Sequence, residues 1–202
     1  KNIKFRFKSK YCIALNSGTA ALHLAIKALK IKKDQKIITS PISFISTASS
    51  IMMNDLIPTF ADIDEKTFTI DPNQTEDAVK KDKKIKAIIG VDYAGHPCDW
   101  KALNYIKKKY NLKLINDNCH AMGAKLDNSF GYAVKYSDLV THSYHAIKNF
   151  TTGEGGSVLT NDRKLAELIN KYRSHNMIRS KEDLKKNGRW FYRVNEYGYN
   201  YR

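Results

Sequence analysis

Long apolar runs and paired cysteines are both missing from this chain, and the two absences narrow what it can be. No stretch approaches the roughly 18 consecutive apolar residues that span a bilayer. The basic start KNIKFRFKSK leads into YCIALNS without the apolar centre of a signal peptide. A cytoplasmic protein with no membrane partner is expected. Cys12, Cys98 and Cys119 are odd in number, widely spaced and outside any CxxC or Cys/His ligand pattern, so neither a disulfide framework nor a zinc site is suggested. Acidic residues are outnumbered, 20 Asp and Glu against 35 Lys and Arg, for a net charge of +15. Such a surplus suits phosphate binding, but the lysines are spread along the chain and no zinc-finger, RRM or helix-turn-helix signature accompanies them. No nucleic-acid partner is expected. What remains, 42% hydrophobic and 27% charged over 202 residues, is the composition of one large globular domain.

Apolar runs alternate with amphipathic segments, the pattern of an α/β domain with a largely parallel sheet. The strand candidates are YCIALN, KIITS, IPTFAD, IKAIIGVD, LKLIND, DLVTHSY and GSVLT, with β-branched content that suits strands buried on both faces. Helices are expected at Thr19 to Lys30, about Phe44 to Asn54, about Thr75 to Lys81, Asp99 to Tyr110 and Arg163 to His175. Asp99 is a natural N-cap, and Leu165, Leu168, Ile169 and Tyr172 fall on one stripe. The chain begins at Lys1 and stops at Arg202 just after EYGYNYR, with no helix stop, so a piece of a longer polypeptide is expected.

Sites in such sheets lie beyond the carboxyl ends of the strands. NSGTAALHLA follows the first strand, and its Ser-Gly-Thr turn would place backbone N–H groups and the Thr19 hydroxyl at a helix N-terminus, a ready anion site. A Ser or Thr cap before an apolar helix is also common structural punctuation. Asp117 closes the apolar run LKLIND, where an unpaired carboxylate would be costly unless it met a cation or several donors; a cap on the next turn is the competing role. His120 alone is more often an ordinary hydrogen-bonded histidine. Most lysines recur in charged clusters such as KKDKKIK, whereas Lys148 sits alone between the strand-like THSYHAI and the glycine-rich TTGEGG.

In order along the chain, NSGTAALHLA, TSPISFISTAS, PTFADID, VDYAGHPCD, INDNCHAMGA, HSYHAIKNFTTGEGG, RSHNMIR and GYNYR resemble the sugar aminotransferases of the DegT/DnrJ/EryC1/StrS family. The resemblance covers nearly the whole chain. It implies the large domain of a type I aminotransferase, a mostly parallel seven-stranded sheet flanked by helices, with pyridoxal 5'-phosphate (PLP) as cofactor. The whole of residues 1–202 would be this PLP-binding domain, and an N-terminal segment and a C-terminal small domain would lie outside it. Lys148 matches the lysine that forms the internal aldimine, a role needing a partly neutral amine. Asp117 matches the partner of the pyridine nitrogen, which keeps the ring protonated as an electron sink. His120 matches the position near the cofactor's O3', and Phe44 the aromatic lying over the ring.

Thr19, the Ala20 backbone N–H and Ser143 match the phosphate-holding positions, with Gly18 in the same turn, and Gly153, Gly155 and Gly156 would let the chain turn past the cofactor. Asn200 resembles the asparagine that reaches a neighbouring subunit's site, which implies a homodimer. His145, Tyr93 and His96 fall in family motifs without an assigned chemistry, and Cys119 reads as a small buried filler. Asn116, Asp117 and Asn118 depart from the more usual Glu-Asp followed by small residues, so the pyridine contact has altered surroundings. The implied reaction moves an amino group from an amino acid, L-glutamate by resemblance, to a nucleotide-linked keto-deoxysugar. The wording is most similar to the branch acting at C4 of a UDP-4-keto-6-deoxy-N-acetylhexosamine, as in pseudaminic acid biosynthesis. Two alternatives are a sugar dehydratase of the same fold, where histidine typically replaces the lysine, and a basic binding module without turnover. Lys148 argues against the first, and its company with Asp117, Phe44 and Thr19 against the second.

Overall fold

The computed structural model describes residues 2–202. The strands are β1 (Tyr11–Leu15), β2 (Lys36–Thr39), β3 (Ile57–Phe60), β4 (Ile85–Val91), β5 (Lys113–Asp117), β6 (Leu139–Ser143) and β7 (Gly156–Thr160). The helices are α1 (Asn2–Arg6), α2 (Gly18–Ala28), α3 (Ser46–Met52), α4 (Pro72–Lys81), α5 (Trp100–Lys109), α6 (Tyr132–Tyr136), α7 (Arg163–Arg173) and α8 (Lys181–Asn187).

All seven apolar runs form strands of one sheet, in the order β1-β7-β6-β5-β4-β2-β3. Parallel pairing runs from β3 through β2, β4 and β5 to β6, and β7 is antiparallel to both β6 and β1. The expectation of burial on both faces holds for β4 to β7 and fails for β3, where Ile57 and Phe60 are exposed because β3 is an edge strand.

Pleating sends successive side chains to opposite faces, and two cores result. Ile37, Ile89, Ile115 and Val158 pack with α2, α3 and α7, while Ile38, Ile88, Leu114 and Leu159 pack with α4, α5 and α6. Along α7, Ile169 and Tyr172 are buried and Leu165 and Leu168 pack against the same core, the stripe expected from their spacing. Asp99 caps α5, its side chain accepting the Ala102 amide at 3.0 Å.

Helix boundaries differ from those expected, and for α4 a capping side chain decides the difference. The α4 helix starts at Pro72 and not near Thr75, because Asp71 caps it and Pro72 needs no amide donor at a first helical position. The α3 helix is shorter than Phe44 to Asn54, and α7 ends two residues before His175. Helices α1, α6 and α8 had no periodic signal, since elements of five to seven residues hold too few turns to show one.

Two histidines are packed into the interior. Burial pushes His142, wholly enclosed on β6, down to about 3, and pushes His23 on α2 down to about 4. An unfolded chain takes up a proton on each near the ordinary 6.5, which the folded chain cannot do until far lower pH. Stability from these rings is therefore complete above 6.5 and is lost as pH falls toward their folded values. For His142 the slope is about 1.4 kcal/mol for each pH unit. Thermal melts between about pH 7 and pH 5 should show a steadily falling midpoint; a flat midpoint would mean that the rings protonate in place.

Candidate functional site

The α2 helix begins immediately past the end of β1, where Ser17 adopts an extended backbone (φ −161°) and its Oγ accepts the Ala20 amide at 3.1 Å. That amide, expected to be available to a phosphate, is committed to the cap and is buried. The Gly18 and Thr19 amides have no protein acceptor among the described residues. First-turn N–H groups lack partners within the helix and carry the positive end of its dipole. Gly18 is required here by contact, since a Cβ on it would lie 2.7 Å from the Cβ of Ser143 at the end of β6. A Cβ on Gly156, the first residue of β7, would run into the Ser17 carbonyl. The helix N-terminus is thus seated on the junction of β6 and β7.

Asp117 ends β5 with its side chain on the same face of the sheet as α2 and α3. It is 4% exposed, its Oδ2 accepting the Thr47 hydroxyl at 2.9 Å and its Oδ1 the Cys119 amide at 3.3 Å. Thr47 in turn is 2.7 Å from the Ser43 hydroxyl, which must donate to it because the Thr47 proton is already given to Asp117. Asp117 thus caps its own turn and also lines a cavity. His120, half-buried, packs edge to face with Tyr93 at 5.9 Å between ring centroids. Its pKa is lowered by burial and by the Lys148 ammonium, with Asp117 acting in the opposite direction.

Residues 144–155 form a loop from β6 back into β7. It is closed by the Tyr144 amide on the Gly155 carbonyl at 2.9 Å and by Thr152 N and Thr151 Oγ1 on the Tyr144 carbonyl at 3.0 and 2.9 Å. Gly153 and Gly155 have φ of 79° and 149°, the sharp turning expected of TTGEGG. Within this loop the Lys148 amide donates to the His145 carbonyl at 2.9 Å, and its Nζ has no hydrogen-bond or ion-pair partner among the described residues. His145 faces Glu154 across the loop, Nε2 to Oε1 3.6 Å.

These pieces enclose a cavity of about 270 Å³. Gly18, Thr19, Phe44, Asp117, His120, Ser143 and Lys148 all line it, seven of the nine residues singled out from the sequence. Phe44 presents a 64% exposed ring to it from the approach to α3. Ala20 lies behind the cap, and Asn200 is exposed outside the cavity of its own chain, its carbonyl accepting the Asn16 side chain at 3.3 Å. His145 does line the cavity, whereas Tyr93 supports His120 from behind and His96 follows the short 3-10 turn Tyr93–Gly95. Cys119, expected to be a small buried filler, is half-buried and forms part of the wall.

Thr47 escaped the sequence reading. It falls one helical turn after Phe44, a spacing that could have placed it on the same face. Among the described residues no cluster of His, Cys, Asp and Glu could hold a metal ion, no helix is long and apolar enough to cross a membrane, and the three cysteines are free.

Comparison with known proteins gives this site its context. The sequence profile of the DegT/DnrJ/EryC1/StrS aminotransferase family matches residues 2–202. The chain is 40% identical over 169 residues to the dTDP-4-amino-4,6-dideoxy-D-glucose transaminase of Shigella dysenteriae, covering 84% of this chain and 44% of that protein. Among solved structures it is similar to Helicobacter pylori PseC, an aminotransferase of pseudaminic acid biosynthesis, with a TM-score of 0.88 at 31% identity over 100% of this chain and 52% of that one. It is also similar to NtdA of Bacillus subtilis with bound cofactor PMP, with a TM-score of 0.85 at 27% identity over 98% and 42% of the two chains. The chain spans about half the length of the relatives it matches, 49%, 48% and 44% of three of them. With the profile match running through residues 2–202, the chain belongs to the DegT/DnrJ/EryC1/StrS aminotransferase family, whose aminotransferases use pyridoxal phosphate.

Proposed function

We propose that the polypeptide carrying this chain transfers an amino group from an amino-acid donor, L-glutamate, to the keto carbon, C4, of a nucleotide-linked keto-deoxysugar. The product would serve surface-polysaccharide or nonulosonic acid synthesis. The observation that carries this reading is that one cavity joins an unpaired lysine amine, a buried carboxylate and the open N-terminus of an 11-residue helix.

The donor set fits pyridoxal phosphate. The Gly18 and Thr19 amides with the hydroxyls of Thr19 and Ser143 are the chemistry of a phosphate cradle, and Gly18 keeps that cradle tight against Ser143. Asp117 would hold a protonated pyridine nitrogen, Phe44 would cover a ring face, and His120, kept largely neutral by burial, would stand near O3'. When bound, the cofactor supplies an electron-withdrawing ring that allows an amino acid's Cα–H bond to break. Lys148 would hold the cofactor through its Nζ, and that same amine would accept the proton from the donor's Cα and return it at the far end of the transfer. Thr47 and Ser43 fix the Asp117 carboxylate toward the cavity. The sugar's keto carbon receives the amine by the same proton movements in reverse. Asn200 and a second subunit would complete the site in a homodimer of the full polypeptide, a part consistent with the exposed position of Asn200.

The test is turnover. Full-length protein incubated with PLP, L-glutamate and a nucleotide-linked 4-keto-6-deoxysugar should yield 2-oxoglutarate and amino sugar in equal amounts. Loss of water from the sugar without amine transfer would instead indicate a dehydratase.

A further inference from the structure

The cavity occupies one face of the sheet, and a line of buried polar groups runs beneath it on the other. Because alternate residues of a strand face opposite ways, each member of this line is a chain neighbour of a residue that builds the site. Asp92 follows Val91, Asn118 follows Asp117, His142 and Tyr144 flank Ser143, and Ser157 follows Gly156.

The direction of every hydrogen bond along the line can be derived. Oδ1 of Asp92 accepts the Cys98 amide and the Trp100 indole, both at 2.9 Å. Its Oδ2 accepts the Tyr132 hydroxyl at 2.7 Å and the Asn118 and Asn116 side-chain amides at 2.8 and 3.2 Å. Burial pushes this carboxyl up, but five donors occupy its lone pairs, so it acts only as an acceptor. Asn118 must then present its NH2 to Asp92, which turns Oδ1 toward His142 Nε2 at 3.1 Å. A carbonyl oxygen can only accept, so Nε2 carries the hydrogen. The buried, neutral ring has no second N–H, so Nδ1 accepts the Ser157 hydroxyl at 3.3 Å. With that proton used, the Tyr144 hydroxyl must donate to Ser157 Oγ at 2.5 Å. Tyr144 is also the residue on whose backbone the Lys148 loop closes.

We propose that this one-way string, Tyr144 to Ser157 to His142 to Asn118 to Asp92, with His142 fixed as the Nε2–H tautomer, holds the Lys148 loop in register with Asp117. It rests on the roles given to Lys148 and Asp117 above, and its members are positioning residues that touch neither substrate nor cofactor. A string of this kind ties the ends of β4, β5, β6 and β7 with bonds that each require the next, so one missing hydroxyl frees the loop at its base.

Two measurements on the full-length protein test it. In the cofactor-free protein, 15N NMR of histidine, with His142 assigned by its loss in His142→Gln, should show a neutral ring protonated on Nε2 and unchanged from about pH 5 to 8. Ser157→Ala should slow borohydride-trapped capture of PLP on Lys148 by roughly tenfold to a hundredfold, with Ser157→Thr restoring the rate. Tyr144→Phe, which removes only the first donor, should act in the same direction. A proton on Nδ1, a ring that titrates in that range, or Ser157→Ala capturing PLP at the unmodified rate would overturn the proposal. Failure of the unmodified protein to capture PLP on Lys148 would defeat the functional reading, and the register role with it, while the tautomer would still report on the string.

Discussion

Replacing Lys148 by alanine is expected to leave a folded protein that still binds PLP but transfers no measurable amine, a loss of about 10⁴-fold or more. The phosphate cradle at Gly18, Thr19 and Ser143 and the ring contacts of Phe44 and Asp117 are untouched by the change, so affinity for the cofactor should survive. What goes is, among the described residues, the only lysine that lines the cavity, and with it the proposed base for the proton transfer. Borohydride reduction followed by peptide mapping checks the assignment directly, placing the label on Lys148 of the unmodified protein and nowhere in Lys148→Ala. Labelling of a different lysine, in a chain rich in exposed ones, would show that the loop from Tyr144 to Gly155 has another purpose.

The second large effect is expected at Asp117. Asparagine keeps the shape and still lets one oxygen accept the Thr47 hydroxyl, so folding should change little. The charge is lost, and at a position 4% exposed it cannot be replaced by solvent. A preorganised electrostatic partner of this kind is worth about 10²- to 10³-fold, so the half-reaction with the amino donor should slow by that amount in single-turnover experiments. The thermal midpoint provides the control. A normal half-reaction in Asp117→Asn would reduce the carboxylate to a cap for the Cys119 amide, the competing role its hydrogen bond at 3.3 Å keeps open.

Local chemistry made much of this protein legible. Seven β-branched apolar runs became seven strands, since such short runs bounded by turn signals pack well on a pleated sheet, most of them buried on both faces. Asp99 capped its helix and Leu165 to Tyr172 faced inward, because caps and stripes depend on residues three and four apart. Seven of the nine marked site residues converged on the cavity for a similar reason. They stand at the carboxyl ends of β1, β2, β5 and β6 or in the segments beyond them, and the sheet brings such ends together.

Tertiary structure decided what depends on partners distant in the chain. No local signal gave the antiparallel direction of β7, which follows from how the sheet is assembled, whereas Pro58 within IPTF was a local sign of the edge position of β3. The Ala20 amide was claimed by Ser17 once the turn took its extended conformation, moving the open donors to Gly18 and Thr19. Asp92, 26 residues from Asn118 and 40 from Tyr132, became a buried hub only when the ends of β4 and β5 met α5 and α6. The sequence alone could name the residues that carry chemistry, because chemistry resides in side chains. Which hydrogen each of them donates is settled by neighbours across the sheet, because a buried polar group must find its partner wherever the fold places one.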